Sequence, residues 1–421
     1  MIDIQKKPEL LAPAGSLDVL KTAISYGADA VYIGGGHYGL RAKAKNFTME
    51  EMEEGIKYAH AHNVNVYVTS NIIAHNQDLI GAEKYFKELE AIGADALIIA
   101  DPGILYIAKQ AVPNMPIHLS TQANNTNYLS ALFWHKQGVE RIVVARELSL
   151  EEIAEIRRKT PLTLTLEAFV HGAMCISYSG RCLLSNYMTG RDANKGDCAQ
   201  SCRWRYHLVE ETRPGQYMPI EETERGTYIY NSKDLCMIDH IPELIKAGID
   251  SFKIEGRMKT SFYVGSVVKV YREAIDDYFT DPDLYESKKE YYLEEVTKFS
   301  HRDYTKGFYF NKPSGTEQIY THNTYLRGYS FAGTVLDYDP ETQMALIEQR
   351  TKFSVGDEIE FIPYKESSFK QKIEALWDEE GNPIDSAPHP KQIVRLKVSR
   401  PVEKNILVRK NDLEENNQNN I

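Results

Sequence analysis

YGADAVYIGG (Tyr26–Gly35), IGADALIIAD (Ile92–Asp101), QGVERIVVARE (Gln137–Glu147) and AGIDSFKIEGR (Ala247–Arg257) are four versions of one phrase. Each places a glycine where a helical pattern stops, because glycine accepts the left-handed backbone that ends a helix. Each then enters a short β-branched run of the kind that forms a strand buried on both faces. Working outward, the same rhythm covers the first 280 residues. Candidate strands are LLAPA (from Leu10), AVYIG (Ala30), NVYVTS (Asn65), ALIIAD (Ala96), IHLSTQ (Ile117), RIVVARE (Arg141), LTLEAFVHG (Leu164) and SFKIEGR (Ser251). Helical patterns fall between them at 16–27, 48–62, 79–92, 102–112, 127–137 and 149–159. A last one at 260–279 carries Val264, Val267, Val268, Tyr271, Ala274, Ile275 and Tyr278 on one stripe. Eight strand–helix units predict an α/β fold, a closed (β/α)8 TIM-like barrel, with a doubly wound open sheet as the alternative.

The seventh unit breaks the rhythm. About 80 residues separate LTLEAFVHG from SFKIEGR, where the other strand-to-strand gaps are about half that or less. In a barrel, this insertion leaves the C-terminal end of strand 7 and so sits on the catalytic face. The expected organisation is a barrel domain over 1–283 with a Cys-rich insertion at 172–227, then a charged, tyrosine-rich helical and irregular connector over 284–327. From 328 to 410 the pattern changes to alternating short runs with turn signals such as YDPET, which predicts a small C-terminal β-domain, a barrel. The tail 411–421 is polar and expected to be disordered.

All five cysteines lie in one seventh of the chain: Cys175, Cys182, Cys198, Cys202 and Cys236. An odd number does not make a closed disulfide set, and the sequence from Met1 carries no basic-then-apolar leader, so a reducing cytoplasm is the expected location. No apolar run approaches the roughly 20 residues of a membrane span. The spacings C-x6-C and C-x3-C are wider than the close pairs usual at structural zinc. Four thiolates set among arginines suit an iron–sulfur cluster, while zinc and unligated thiols stay open. The formal charge of −11 argues against a whole-surface nucleic-acid binder. Yet residues 180–206 carry Arg181, Arg191, Lys195, Arg203 and Arg205 against two aspartates, with Trp204 and Tyr206 interleaved. That pattern fits either RNA contact, through stacking on unpaired bases, or neutralisation of the cysteine site. Polar groups at strand ends complete the candidates: Gln122, Arg146, Glu167, His171, Glu255 and Arg257. The arginines suit a small dicarboxylate ligand, and Glu167–Arg257 or Glu255–Arg146 could pair across the barrel mouth. The chain has no H-E-x-x-H and no G-x-S-x-G motif. A Cys175–His171 dyad would leave the other thiols unexplained.

EAFVHGAMCISYSGRCLLS resembles the signature of the collagenase-like peptidases of family U-32, whose catalytic type is unknown. LLAPAG, GADAVYIGG, LSTQAN, RELSLEEI, GRDANKGDCAQSCRW, YIYNSKDL and FKIEGRMK extend the likeness over most of the chain. Within the family, the C-x3-C and the C-terminal β-domain resemble the tRNA hydroxylation proteins. The resemblance implies a tRNA-modifying enzyme that performs oxygen-independent 5-hydroxylation of the wobble uridine, with prephenate as oxygen donor and an iron–sulfur cluster, [4Fe–4S], as cofactor. It puts the ligands at Cys175, Cys182, Cys198 and Cys202, with Cys236 as an alternative fourth. Glu167, His171 and Arg257 are then the catalytic candidates, and Gln122, Arg146, Arg181, Arg191, Lys195, Arg203 and Arg205 the substrate-binding ones. tRNA, a small dicarboxylate and a second, homologous protein are the expected partners.

Overall fold

A computed structural model describes residues 6–36, 38–39, 46–175, 177–179, 181–195, 197–203, 208–209, 217–218, 233–311 and 328–412. Strands β1 (Glu9–Pro13), β2 (Ala30–Gly34), β3 (Asn65–Ser70), β4 (Ala96–Ile99), β5 (Ile117–Leu119), β6 (Arg141–Val143) and β7 (Thr165–Ala173) pair in parallel in chain order. After β8 (Asp234–Cys236), β9 (Ser251–Ile254) pairs in parallel with both β7 and β1, through Ser251 opposite Glu167 and Glu9 opposite Ser251. The eight-stranded barrel of β1–β7 and β9 is therefore closed. Two strands extend it outside the ring: β8 lies antiparallel to β7, and β10 (Tyr304–Thr305) lies parallel to β8.

Helices α1 (Leu17–Ser25), α2 (Met49–Ala61), α3 (Ala82–Ala91), α4 (Pro102–Ala111), α5 (Tyr128–Lys136) and α6 (Leu150–Lys159) return between strands. Their starts are written in the sequence. Thr48 with Glu51, and Ser149 with Glu152, form reciprocal capping boxes, and Asp101 caps α4 ahead of Pro102. Their ends follow the repeated phrase: Gly27 and Gly93 hold φ of +102° and +87°, a region other residues rarely adopt. The aspartate of the phrase has its own task. Asp29, Asp95 and Asp250 each accept the backbone N–H of the preceding barrel strand, at Leu10 (2.8 Å), Val66 (2.6 Å) and Leu166 (2.8 Å). The repeat thus stops a helix and pins the bottom of the neighbouring strand in one stroke.

Between β7 and β9 the chain makes the short helices α7 (Leu184–Thr189) and α8 (Ile241–Lys246). The long helix α9 (Ser261–Thr280) buries the expected stripe, with Tyr278 half-buried. The connector that follows is part of the barrel wall. Tyr285 of α10 (Pro282–Ser287), Tyr292 of α11 (Lys289–Thr297), Phe299 and Tyr309 are buried in the main core.

The C-terminal unit is an eight-stranded antiparallel sheet, curled like a half-barrel around its own core, with a two-stranded ribbon of Phe353–Ser354 and Ser386–Ala387 beside it. Its strands are β11 (Tyr329–Asp339), β12 (Met344–Gln349), β13 (Glu358–Ile362), β14 (Phe369–Lys372), β15 (Leu376–Asp378), β16 (Pro383–Ile384), β17 (Ile393–Lys397) and β18 (Leu407–Asn411), in the order β14-β13-β18-β11-β12-β17-β15-β16. The last strand runs through Asn411, one residue into the segment expected to be a disordered tail; 413–421 lie outside the described residues. Arg409 fastens this unit to the first: fully buried, it donates to both oxygens of Glu360 at 2.8 Å and to Glu295 of α11 at 2.9 Å. Tyr26 adds a second tie, donating to Ile362 O and accepting from Leu407 N. No helix among the described residues is long and apolar enough to cross a membrane.

Candidate functional site

The mouth is built from the polar residues that follow the strands. Arg257, just past β9, donates to Thr69 Oγ1 (2.9 Å) at the end of β3 and to Asn46 Oδ1 (3.3 Å). It lies so close over β2 that a Cβ on Gly34 would stand 2.1 Å from Arg257 Nη2. Across the opening, Arg146 donates to Ala173 O (2.9 Å) and Glu255 Oε2 (3.4 Å), with its guanidinium 4.0 Å from the Phe169 ring centre. The Glu255–Arg146 pair therefore bridges the ends of β6 and β9 past the intervening β7, and Arg146 also grips the exit of β7 two residues before Cys175. Gln122, buried after β5, donates to Asn71 O (3.3 Å), and Asn71 donates to Ser120 Oγ (3.0 Å).

Glu167 and His171 are not at the mouth. Glu167 is 0 % exposed inside the barrel, paired with Lys253 at 2.6 Å and Arg141 at 3.3 Å instead of Arg257. Arg141 also pairs with Glu9 at 2.5 Å, so two carboxylates and two cations form a neutral group in the barrel interior. Burial alone would raise the Glu9 carboxyl, but Arg141, with Tyr67 and Ser251 donating, outweighs it and holds the group below its ordinary value. The reason for the misplacement is register: β7 has nine residues, and Glu167 is the third, level with the first residue of β9. His171 is 1 % exposed and packs among the rings of Tyr263, Tyr271, Phe299 and Tyr304, behind the sheet against α9 and the connector. Burial, then the charges of His301, Lys259 and Lys306, push its pKa down to about 3. A ring so placed is a neutral packing element, poorly suited to serve Cys175 as a base.

Cys175 leaves the end of β7 exposed, Cys198 is exposed, and Cys182 and Cys202 are half-buried; no disulfide joins them. α7 organises the lobe. Its Ser185 is buried, accepts from Ala199 N (2.9 Å) and donates to Asp197 O (3.4 Å), tying the segment after Cys182 to the one around Cys198. Arg191 donates to Asp197 Oδ1 at 2.8 Å. Gln200, at φ +57°, turns its N–H onto Cys198 Sγ (3.3 Å), the type of bond that tunes a metal-bound thiolate. Exposed thiols with such a donor fit a thiolate-ligated iron group in chemistry, although among the described residues no three His, Cys, Asp or Glu groups converge as a ligand set. Cys236 is different. It is buried on β8 opposite His171, and burial pushes its thiol up to about 11. It lies in the core, apart from the exposed set. Arg181 is exposed. The side chains of Lys195 and Arg203, and Trp204, Arg205 and Tyr206 entirely, lie outside the described residues.

Lys253, Arg141 and Glu9 were missed by the sequence reading, as were Thr69 and Asn46. Thr69 had a signal, since the apolar run of β3 breaks into Thr-Ser-Asn at the catalytic face. Asn46 had none.

The model of peptidase family U32 matches residues 15–319, and that of its C-terminal domain matches 327–409. The chain belongs to peptidase family U32. It is 46 % identical over 407 residues to tRNA hydroxylation protein P1 of Bacillus subtilis (strain 168), covering 97 % of this chain and 96 % of that one. It is 37 % identical to tRNA hydroxylation protein P of Escherichia coli (strain K12), covering 95 % of each. Over 268 residues it is 39 % identical to the 23S rRNA 5-hydroxycytidine C2501 synthase of Escherichia coli (strain K12), covering 64 % of this chain and 39 % of that one.

Proposed function

We propose that the protein is a tRNA hydroxylase, an enzyme that replaces the C5 hydrogen of the wobble uridine with a hydroxyl without molecular oxygen, with prephenate as oxygen donor. The reading is supported by near full-length similarity to two tRNA hydroxylation proteins and by a relative named for 5-hydroxycytidine synthesis. The observation that carries it is the lobe of four cysteines, two exposed and two half-buried, rooted at the end of β7 where Arg146 donates to Ala173 O. Cys175, Cys182, Cys198 and Cys202 are the proposed ligands of a [4Fe–4S] cluster, which supplies one-electron redox chemistry when bound.

The chain's own residues bind and orient. Arg257, fixed by Thr69 and Asn46, offers a guanidinium at the mouth to a carboxylate of the donor. Gln122 belongs to the polar wall facing it. Arg146 holds the root of the cysteine lobe against β7. Arg181, Arg191, Lys195, Arg203 and Arg205 supply a local positive field for RNA phosphates in an acidic chain. A peptidase built on Cys175 and His171 is the weaker reading, because His171 faces the aromatic packing behind the sheet.

The test is mass analysis of tRNA nucleosides from a strain lacking the gene, complemented with wild type or Cys175→Ala. Loss of 5-hydroxyuridine derivatives, restored only by wild type, is expected. Unchanged hydroxyuridine in the deletion strain overturns the proposal.

A further inference from the structure

Helix α7 is inside out. Its polar Ser185 is 2 % exposed and holds the lobe together, while Tyr187 is 86 % exposed and Leu183, one turn before it, is 69 % exposed. Residues four apart share a helix face, so Leu183 and Tyr187 form one apolar ridge turned to solvent. Met188 and Tyr178 are exposed nearby in the same lobe. A helix that shows water its ring and hides its hydroxyl gains nothing from folding alone; such exposure marks a contact surface. The ridge follows directly on Cys182, and the charged residue that precedes it is the cation Arg181. Arg181 is exposed with no carboxylate partner among the described residues, while Arg191, just past the helix end, is paired with Asp197 at 2.8 Å. An aromatic face bordered by an exposed arginine is complementary to an unpaired base and its phosphate, in a chain whose overall charge repels nucleic acid.

We propose that the Leu183–Tyr187 ridge is a stacking surface for an unpaired base of the anticodon loop, holding the loop over the cysteine lobe. This rests on the reading of the protein as a tRNA hydroxylase. Tyr187 is a positioning residue: it holds the loop, and the chemistry belongs to the mouth.

The experiment is fluorescence anisotropy of the full chain with a labelled anticodon stem-loop and with a duplex of the same stem. Tyr187→Ala is expected to weaken stem-loop binding roughly tenfold, the weight of one base–aromatic stack. The dependence of affinity on salt should keep its slope, because no phosphate contact is lost, and duplex binding should not change. Tyr187→Trp should bind the stem-loop as well as wild type. Equal stem-loop affinity of wild type and Tyr187→Ala overturns the stacking surface, and so does equal loss on stem-loop and duplex. If Tyr187→Ala instead alters self-association on sizing with RNA affinity intact, the ridge is a protein contact and the proposal falls. If wild type binds no stem-loop even at low salt, the tRNA reading itself fails and takes this one with it.

Discussion

Replacing Glu167 by Gln separates a structural carboxylate from a catalytic one. In the wild type, Glu9, Arg141, Glu167 and Lys253 balance two negative against two positive charges inside the barrel, with the Glu167–Lys253 pair at 2.6 Å and at most 5 % exposed. Glu167→Gln leaves Lys253 charged, buried and short of its counter-charge. Breaking a buried pair this way costs about 3–5 kcal/mol. The amide still accepts one hydrogen bond, so we take the lower end, about 3 kcal/mol. For a domain of this size that corresponds to a fall in the thermal midpoint of roughly 5 °C. Glu167→Gln with Lys253→Met restores neutrality, leaves the Glu9–Arg141 pair intact and places an apolar side chain between Tyr32 and Phe169. It should recover most of the loss. Thermal unfolding followed by circular dichroism measures the stability, and hydroxyuridine content in a complemented deletion strain measures function. A double variant that stays as unstable as the single one refutes the charge-balance reasoning. A double variant that recovers stability but leaves hydroxyuridine absent shows that Glu167 or Lys253 has a chemical role after all.

His171 carries a pH signature. Its folded pKa of about 3 lies below the unfolded value of about 6.5, so the unfolded chain takes up the proton first. Stability from this group is complete above about pH 6.5 and is lost as pH falls toward the folded value; His171→Phe should flatten the decline in thermal midpoint between about pH 6.5 and 4. Cys236 should resist alkylation by iodoacetamide at about pH 8 in the native, iron-free protein, where most of its thiol is protonated. Cys175 and Cys198 react, as mass spectrometry of peptides reports; prompt labelling of Cys236 would show that it is not the core residue described. Gly34→Ala drives a methyl group against Arg257 Nη2, so hydroxylation should fall at least tenfold with unfolding unchanged within about 1 kcal/mol, since a flexible side-chain end can move aside. Full activity would remove Arg257 from the site.

The barrel was legible because its signals are local. The repeated glycine phrase, the capping residues Thr48 and Ser149 and the β-branched runs each act within a few residues, and all eight strands lie where these signals placed them. What the sequence concealed was direction. Glu167 and His171 stand four residues apart on one strand, yet one points into the barrel and the other packs behind it, after a shift of register between Lys253 and Ile254. Nothing in E-A-F-V-H marks that shift. Likewise Cys236 sits near the other cysteines in sequence but lies on a strand whose burial is set by β7, far away in the chain. The Glu255–Arg146 pair was foreseeable because two opposite charges at the ends of nearby strands have few other partners. The tyrosine-rich connector was harder: its rings fill the barrel wall, while its charges give it the look of a linker.

The cysteine lobe leaves the barrel at Ala173 and returns at Asp234, and these two residues are already opposite each other, with Gly172 facing Leu235 and His171 facing Cys236. Sixty residues thus begin and end on one stitched seam. Closing the seam fixes the ends whatever lies between, and doubling the excursion adds only about 0.6 kcal/mol of chain entropy. The lobe behaves as a cartridge in a socket. A relative's version, longer or shorter, could be spliced in at this seam with the barrel untouched.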